Sequence, residues 1–245
     1  MATAPVPGNR QRGAALLLLV SALGMGTASF ALQVLSRQQL DLRHEQQTSI
    51  ELAAAREALI GFALRHGRLP RPAISELDGR ERERPCEQPR DCTGLLPWVT
   101  LGIAGADDWG KRLRYSVTPV LSARGFDITS AVADKRVMTR GAGGKLTYLR
   151  GGATCEVTAQ CLAAVVFSSG SKNLGTSVAG VAQANSASGN LDEQYNNTAL
   201  NDFISREAST DPARPGGEFD DMVSWIALPP LYQQMARAGT LQTRP

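Results

Sequence analysis

An uncharged, mostly apolar run from Ala14 to Leu32 follows directly on Arg10-Gln-Arg-Gly13, and it constrains the chain more than any other segment. The run is 19 residues long. At a rise of ~1.5 Å per helical residue it would cover about 28 Å, close to the ~30 Å hydrocarbon core of a bilayer. It is therefore expected to span a membrane, with Arg10 and Arg12 holding the cytoplasmic side. A secretory signal peptide has a shorter apolar region, roughly 7–15 residues, and is cut on the far side after small residues. Ala28-Ser-Phe-Ala31 offers such a far-side break, whereas Gly13 offers one on the near side. The near-side break leaves a chain starting at Ala14, the far-side break one starting at Leu32.

The segment after the run extends the same helix. From Gln33 to His66 there is no proline, Gly61 is the only glycine, and good helix formers dominate. Leu35, Leu42, Leu52, Leu59, Ile60 and Leu64 recur at loosely helical spacing. The pattern predicts one rod over 14–66, with 14–32 transmembrane and 33–66 amphipathic. Its later half should pack on a globular domain and its earlier half on other helices.

The short basic leader ending in Gly13, the apolar helix from Ala14 and the small-residue continuation through Ala53-Ala-Ala55 together resemble the type IV pilin and type II secretion pseudopilin superfamily. The resemblance implies that a prepilin peptidase cuts between Gly13 and Ala14 and methylates the new amino terminus on Ala14. It also implies partners: other pilin-like subunits met through the N-terminal helix, an inner-membrane assembly platform, and membrane lipid. The usual glutamate at the fifth mature residue would fall at position 18, where this chain has Leu18. In the family that carboxylate neutralises a neighbour's amino terminus inside an apolar filament core, where an unpaired charge is costly. Leu18 therefore points to a minor subunit.

Beyond the rod, residues 67–245 suffice for one extracytoplasmic, periplasmic domain. The whole chain carries 26 basic against 23 acidic residues, net +3, and loss of Arg10 and Arg12 with the leader leaves +1. That balance gives no general nucleic-acid signal. Cys86 and Cys92 stand six positions apart, as do Cys155 and Cys161, so each pair could close a short loop in an oxidising compartment. Four cysteines allow three pairings, and loop proximity favours 86 with 92 and 155 with 161. The spacing is too wide for an ordinary zinc site, and no histidine lies near either pair. The charged, proline-bearing stretch from Glu76 to Arg90 reads as a solvated excursion.

Further on the pattern turns to β structure. Leu113, Tyr115 and Val117 alternate with polar residues, Phe126–Ser130 and Lys145–Leu149 read as short strands, and Leu162–Phe167 is the most apolar strand candidate. Short strands with tight turns favour an antiparallel meander packed on a helix. The expected fold class is thus α+β: a long N-terminal helix, first half transmembrane, packed on a small antiparallel β-sheet domain with long loops. A polar insertion rich in Asn, Ser and Gly spans 174–217 and should lie on the surface, with Asn201–Arg206 able to form a short element.

The resemblance extends into this region. Asp108-Trp109-Gly110 followed by Arg114-Tyr115 is similar to the motif that opens the sheet in major pseudopilins. Phe167–Asn173 and Glu218–Trp225 are similar to its C-terminal part, where a glycine turn precedes an acidic pair and a tryptophan. In several relatives the acidic pair lies in a calcium-binding loop. The resemblance thus implies calcium at Asp220 and Asp221, with Glu218 and Ser168 as helpers. Calcium takes six to eight oxygens, so two carboxylates begin a site without completing it. The alternative is that the pair flanks Val223–Trp225 structurally.

Enzyme signatures fail on spacing. Val166 replaces the first glycine of a nucleophile elbow around Ser168, and Leu146 follows Gly144-Lys145 where a phosphate loop needs Ser or Thr. His44 and His66 both fall on the predicted rod, away from Ser168-Ser169. The expectation is a non-enzymatic assembly subunit of a type II secretion or type IV pilus machine, single-pass in a bacterial inner membrane. A membrane-anchored periplasmic binding module and an exported hydrolase are the alternatives.

Overall fold

The computed structural model describes residues 39–157 and 161–241. The chain divides into two units, Met1–Glu45 and Gln46–Pro245. Helix α1 occupies 39–66. From Gln46 onward it turns one stripe inward: Leu52, Ala55, Leu59, Phe62 and Ala63 are buried. Their three- and four-residue spacing is that of a single helical face. The opposite face, including Ile50, Ala53, Ala54 and Glu57, is exposed.

The expectation of a membrane-crossing helix is corrected here. Among the described residues no helix is long and apolar enough to cross a membrane. The physical reason is charge: α1 carries Asp41, Arg43, Glu45, Glu51, Arg56, Glu57 and Arg65, each costly in hydrocarbon. The transmembrane element and the single-pass inner-membrane placement drawn from it are therefore withdrawn. The predicted span 14–32, the Gly13–Ala14 junction and Leu18 lie outside the described residues.

Four strands form the antiparallel sheet under α1. They are β1 (Thr93–Leu95), β2 (Arg114–Val117), β5 (Leu162–Ser168) and β7 (Met222–Ala227), in the order β1-β2-β5-β7. Tyr115 pairs with Val166 across β2 and β5, and Val165 pairs with Trp225 across β5 and β7. A second sheet, of order β4-β3-β6, joins β3 (Arg136–Arg140), β4 (Leu146–Arg150) and β6 (Asp202–Ile204), with β3 and β6 parallel. The expected single antiparallel sheet is thus one of two, and the second is mixed. Short helices α2 (Trp98–Leu101) and α3 (Leu191–Thr198) lie between strands, and α4 (Leu228–Arg237) follows β7 directly.

β5 is buried at every position because both of its faces are covered. Ala164 and Val166 join the core under α1 with Leu59, Tyr115, Ile226 and Leu231. Leu162, Val165 and Phe167 join a second core with Val137, Ala199 and Phe203. A strand buried on both faces reads as a continuous apolar run, which is why this one was plain in the sequence. Phe126–Ser130 is not a strand. The Asp127 carboxylate accepts from the Thr129 N–H and hydroxyl, at 2.8 Å each, and the backbone closes into a turn.

The charged stretch 76–90 is largely solvated, with Glu76, Arg80, Glu83, Arg84, Glu87 and Arg90 exposed. Glu81 and Arg82 are among its half-buried charges, Glu81 accepting two hydrogen bonds from Arg68, at 2.7 and 2.8 Å, and Arg82 donating to a backbone carbonyl. One further expectation needs correcting. The insertion 174–217 is not merely superficial, since it carries α3 and β6 and buries Asn190, Asp192, Glu193, Asn196, Phe203 and Ile204. Those polar groups tolerate burial because they are bonded. Asn196 donates to the Ile204 carbonyl at 2.8 Å and accepts from its N–H at 2.7 Å. Asp192 accepts from both Arg140 and Arg206. Disulfides join Cys86 to Cys92 and Cys155 to Cys161.

The core under α1 sets an expectation for mutation. Leu59→Ala empties a fully buried site and should lower unfolding free energy by about 2–5 kcal/mol in urea titration. Ile50→Ala, on the exposed face, should stay within about 0.5 kcal/mol of the parent.

Candidate functional site

The turn that launches β2 begins the site. Asp107 Oδ1 accepts the N–H groups of Trp109, at 3.1 Å, and Lys111, at 2.8 Å, while the Asp107 N–H bonds the Lys111 carbonyl. Gly110 takes φ +77° in that turn, which a Cβ would oppose. The loop therefore needs Asp and Gly at these places, and it aims the Lys111 side chain inward. Lys111 is buried, and its ammonium donates to the carbonyls of Asn173, at 3.1 Å, and Ser169, at 3.5 Å.

The end of β5 meets this turn. Ser168 Oγ donates to Asp107 Oδ2 at 2.6 Å and accepts from the Gly170 N–H at 3.0 Å. The loop that follows wraps around Asp220. Its Oδ2 accepts from the Ser171 N–H and hydroxyl, each at 2.9 Å, and from the Lys172 N–H at 3.1 Å. Gly170 has φ +62°, and a Cβ there would collide with the Asp220 carboxylate. Glycine is thus demanded both by conformation and by closeness.

From the other side the insertion brings α3. Glu193 Oε1 accepts the Asp220 N–H at 2.9 Å, and its Oε2 accepts from Asn190 at 2.6 Å. Asp221 Oδ2 accepts from Asn196 at 2.8 Å. One carboxylate oxygen from each of Glu193, Asp220 and Asp221 lies within 4.8 Å of the others. Asp220 Oδ1 is buried without a hydrogen-bond partner. A buried carboxylate oxygen left unbonded is costly, and a cation at that place would satisfy it.

Burial pushes the Asp221 carboxyl well above the ordinary range, and the nearby Glu193 and Asp220 push it further, against the Asn196 hydrogen bond and the Arg114 charge. Burial also raises Glu193, with the Asp220 charge adding to it. Asp107 is raised by burial in spite of its hydrogen bonds from Ser168 and the backbone. Lys111 is lowered by burial, although four carboxylates around it oppose the shift. The contrast with Asp192, one residue before Glu193, is instructive. Asp192 is buried against two arginines, while Glu193 is buried against carboxylates.

Within this chain the donors are all oxygen, which suits a hard divalent cation and not zinc or copper. The cluster is consistent with a divalent-cation site built by Glu193, Asp220 and Asp221. No family model, curated protein or solved structure matches the chain. Geometry alone therefore carries the reading of this site.

Of the residues named from sequence, Asp220 and Asp221 are brought together here. Glu218 instead approaches Lys172, at 3.6 Å, and Ser168 serves Asp107. Glu193 was missed because it lies 27 positions away in a segment that reads as surface loop. Its signal was Asn190-Leu-Asp-Glu193, a polar start followed by acids in the first turn of a helix.

The raised carboxyls set a pH dependence. A group whose folded pKa exceeds its unfolded value contributes stability below the unfolded value and loses it as pH rises through the folded one. Without metal, Asp221 and Glu193 therefore weaken the fold towards neutral pH. Asp221→Asn keeps an acceptor for Asn196 and removes the charge. The variant should melt above the parent at pH 8 in chelator, by about 2–4 °C for each kcal/mol of relief. The gap should close at pH 4. A variant that melts lower at both pH values would contradict this account.

Proposed function

We propose that the chain is a structural, pilin-like or pseudopilin-like assembly subunit in a minor position, and that its carboxylate cluster takes calcium. The observation that supports assembly is the division of α1 from Gln46 onward. Leu52, Ala55, Leu59 and Ala63 are committed to the sheet, while Ile50, Ala53, Ala54 and Glu57 are left exposed along the other side. A helix that serves its own domain with one face has the other available for neighbours. The order of helix, antiparallel sheet, Asp-Trp-Gly turn and acidic pair is in keeping with the resemblance read from the sequence.

Calcium suits the cluster in number and kind of donor. The cluster offers one oxygen from each of three carboxylates, and the ion takes six to eight, so further carboxylate oxygens, backbone carbonyls or water would supply the rest. When bound, it would supply the positive charge that Asp220 Oδ1 and the raised carboxyls of Asp221 and Glu193 lack. The protein's own part is to hold the three side chains. The 171–172 amides orient Asp220, Asn190 orients Glu193, and Asn196 orients Asp221. The site would then fasten the 169–173 loop, the insertion and the start of β7 to one another.

Two measurements check these readings. Co-expression with a prepilin peptidase should yield a chain that begins at Ala14 and carries a methylated amino terminus by mass spectrometry. An unprocessed chain, or one starting at Leu32, would refute the assembly reading. Separately, calcium at a hundred times its dissociation constant should raise the melting temperature by about 5–10 °C, from roughly 2.7 kcal/mol of linkage. Chelator should reverse the rise and Asp220→Asn should abolish it. A melt insensitive to calcium removes the metal.

A further inference from the structure

A cavity of about 300 Å³ lies where the end of α1 meets the turn after residue 122 and the residues following α4. Arg65, His66, Arg124, Phe126, Thr240 and Leu241 line it. Every ionisable group among them is basic. Arg65 and Arg124 make no hydrogen bond or ion pair among the described residues. Nearby arginines behave differently: Arg68 is paired with Glu81, and Arg71 and Arg82 donate to carbonyls.

The position of Arg65 and His66 in the last turn of α1 is favourable to the helix dipole without any ligand. That explanation does not reach Arg124, which comes from a separate turn and adds like charge to the same space. Its field falls on His66, as do those of Arg65 and Arg68. Three basic groups around one opening raise the local positive potential, which a bound anion would relieve. The apolar wall is also built: Phe126 is buried and stacked on Tyr232 with ring centres 6.0 Å apart.

We propose that this cavity binds a small organic oxyanion, a phosphate ester or carboxylate, between Arg65, His66 and Arg124, with its apolar part on Phe126 and Leu241. The volume lies at the lower end of small-molecule pockets, enough for one such group and a ring. Charge-assisted hydrogen bonds from two guanidinium groups give the site its strength. The groups facing His66 are Arg65 on α1, Arg68 just beyond it, Arg124 from the turn, and Glu81, whose charge Arg68 already holds. Burial and the three arginines lower the imidazole below its usual value, the opposing effect of Glu81 notwithstanding. An anion among them should reverse that.

The chain has two histidines, so imidazole NMR of the full chain resolves the question with His44 as internal reference. Titration with phenyl phosphate should raise the His66 pKa and leave that of His44 in place. Inorganic phosphate should do the same at higher concentration, lacking the ring. Arg65→Gln with Arg124→Gln should weaken phenyl phosphate by about tenfold or more without lowering the melting temperature, since both side chains are exposed. The proposal is overturned if sodium chloride at equal ionic strength moves His66 as far. It is equally overturned if the double variant binds as well as the parent, or if His66 does not respond.

Discussion

Strand β5 lies between two cores, and the remaining elements take their places from it. Its alternate side chains enter the layer under α1 and the layer shared with β3 and β6. Phe167 meets Phe203 at 5.7 Å between ring centres, and the Arg114 guanidinium lies over Phe167 at 5.5 Å. The insertion is thereby tied to the sheet through apolar contact as well as hydrogen bonds. Because β5 is fixed along its length, its last residue, Ser168, presents a defined hydroxyl to Asp107. The loop beyond it starts from a rigid point, and the site inherits that rigidity.

Charge is distributed unevenly inside the domain. Asp192 is held between Arg140 and Arg206, and Arg206 also covers the Phe219 ring at 4.4 Å. Lys135 is wholly buried and satisfied by the Leu200 carbonyl, Asn201 and Asp134. These ions are compensated in place, which is the condition for keeping them out of water. The group of Glu193, Asp220 and Asp221 departs from the pattern, since the Asp220 charge adds to the burial that raises Glu193, and Glu193 and Asp220 add to the burial that raises Asp221. The cavity beside Arg65 and Arg124 departs from it in the opposite sense. One acidic cluster, with Lys111 and Arg114 nearby, and one basic opening stand out against a background of matched pairs.

Legibility in the sequence followed the kind of force at work. β2 and β5 were readable because burial imposes period two on the one and a continuous apolar run on the other. The helical stripe through Leu52 and Leu59 was readable for the same reason. β3 was missed, because of its five residues Val137 alone is buried. Much of the 174–217 segment reads as surface because Asn190, Asp192, Glu193 and Asn196 are polar, and a polar side chain looks alike whether solvated or bonded inside, whereas the short element around the buried Phe203 and Ile204 was readable. The stretch 76–90 was readable as solvated because most of its charges are exposed, Glu81 being one exception.

The sequence by itself determined an α+β chain, a helix with one apolar face, the strand at 162–168, and Asp220 with Asp221 as a point of interest. These are properties of neighbours along the chain, where spacing and period carry the information. Only the tertiary structure decided that a second, mixed sheet covers β5 and that Glu193 completes the acidic group. It likewise decided that Arg124 joins Arg65 and His66 around one cavity. The reason is physical: electrostatic compensation depends on distances through space, and residues 27 or 58 positions apart meet only when the chain has folded.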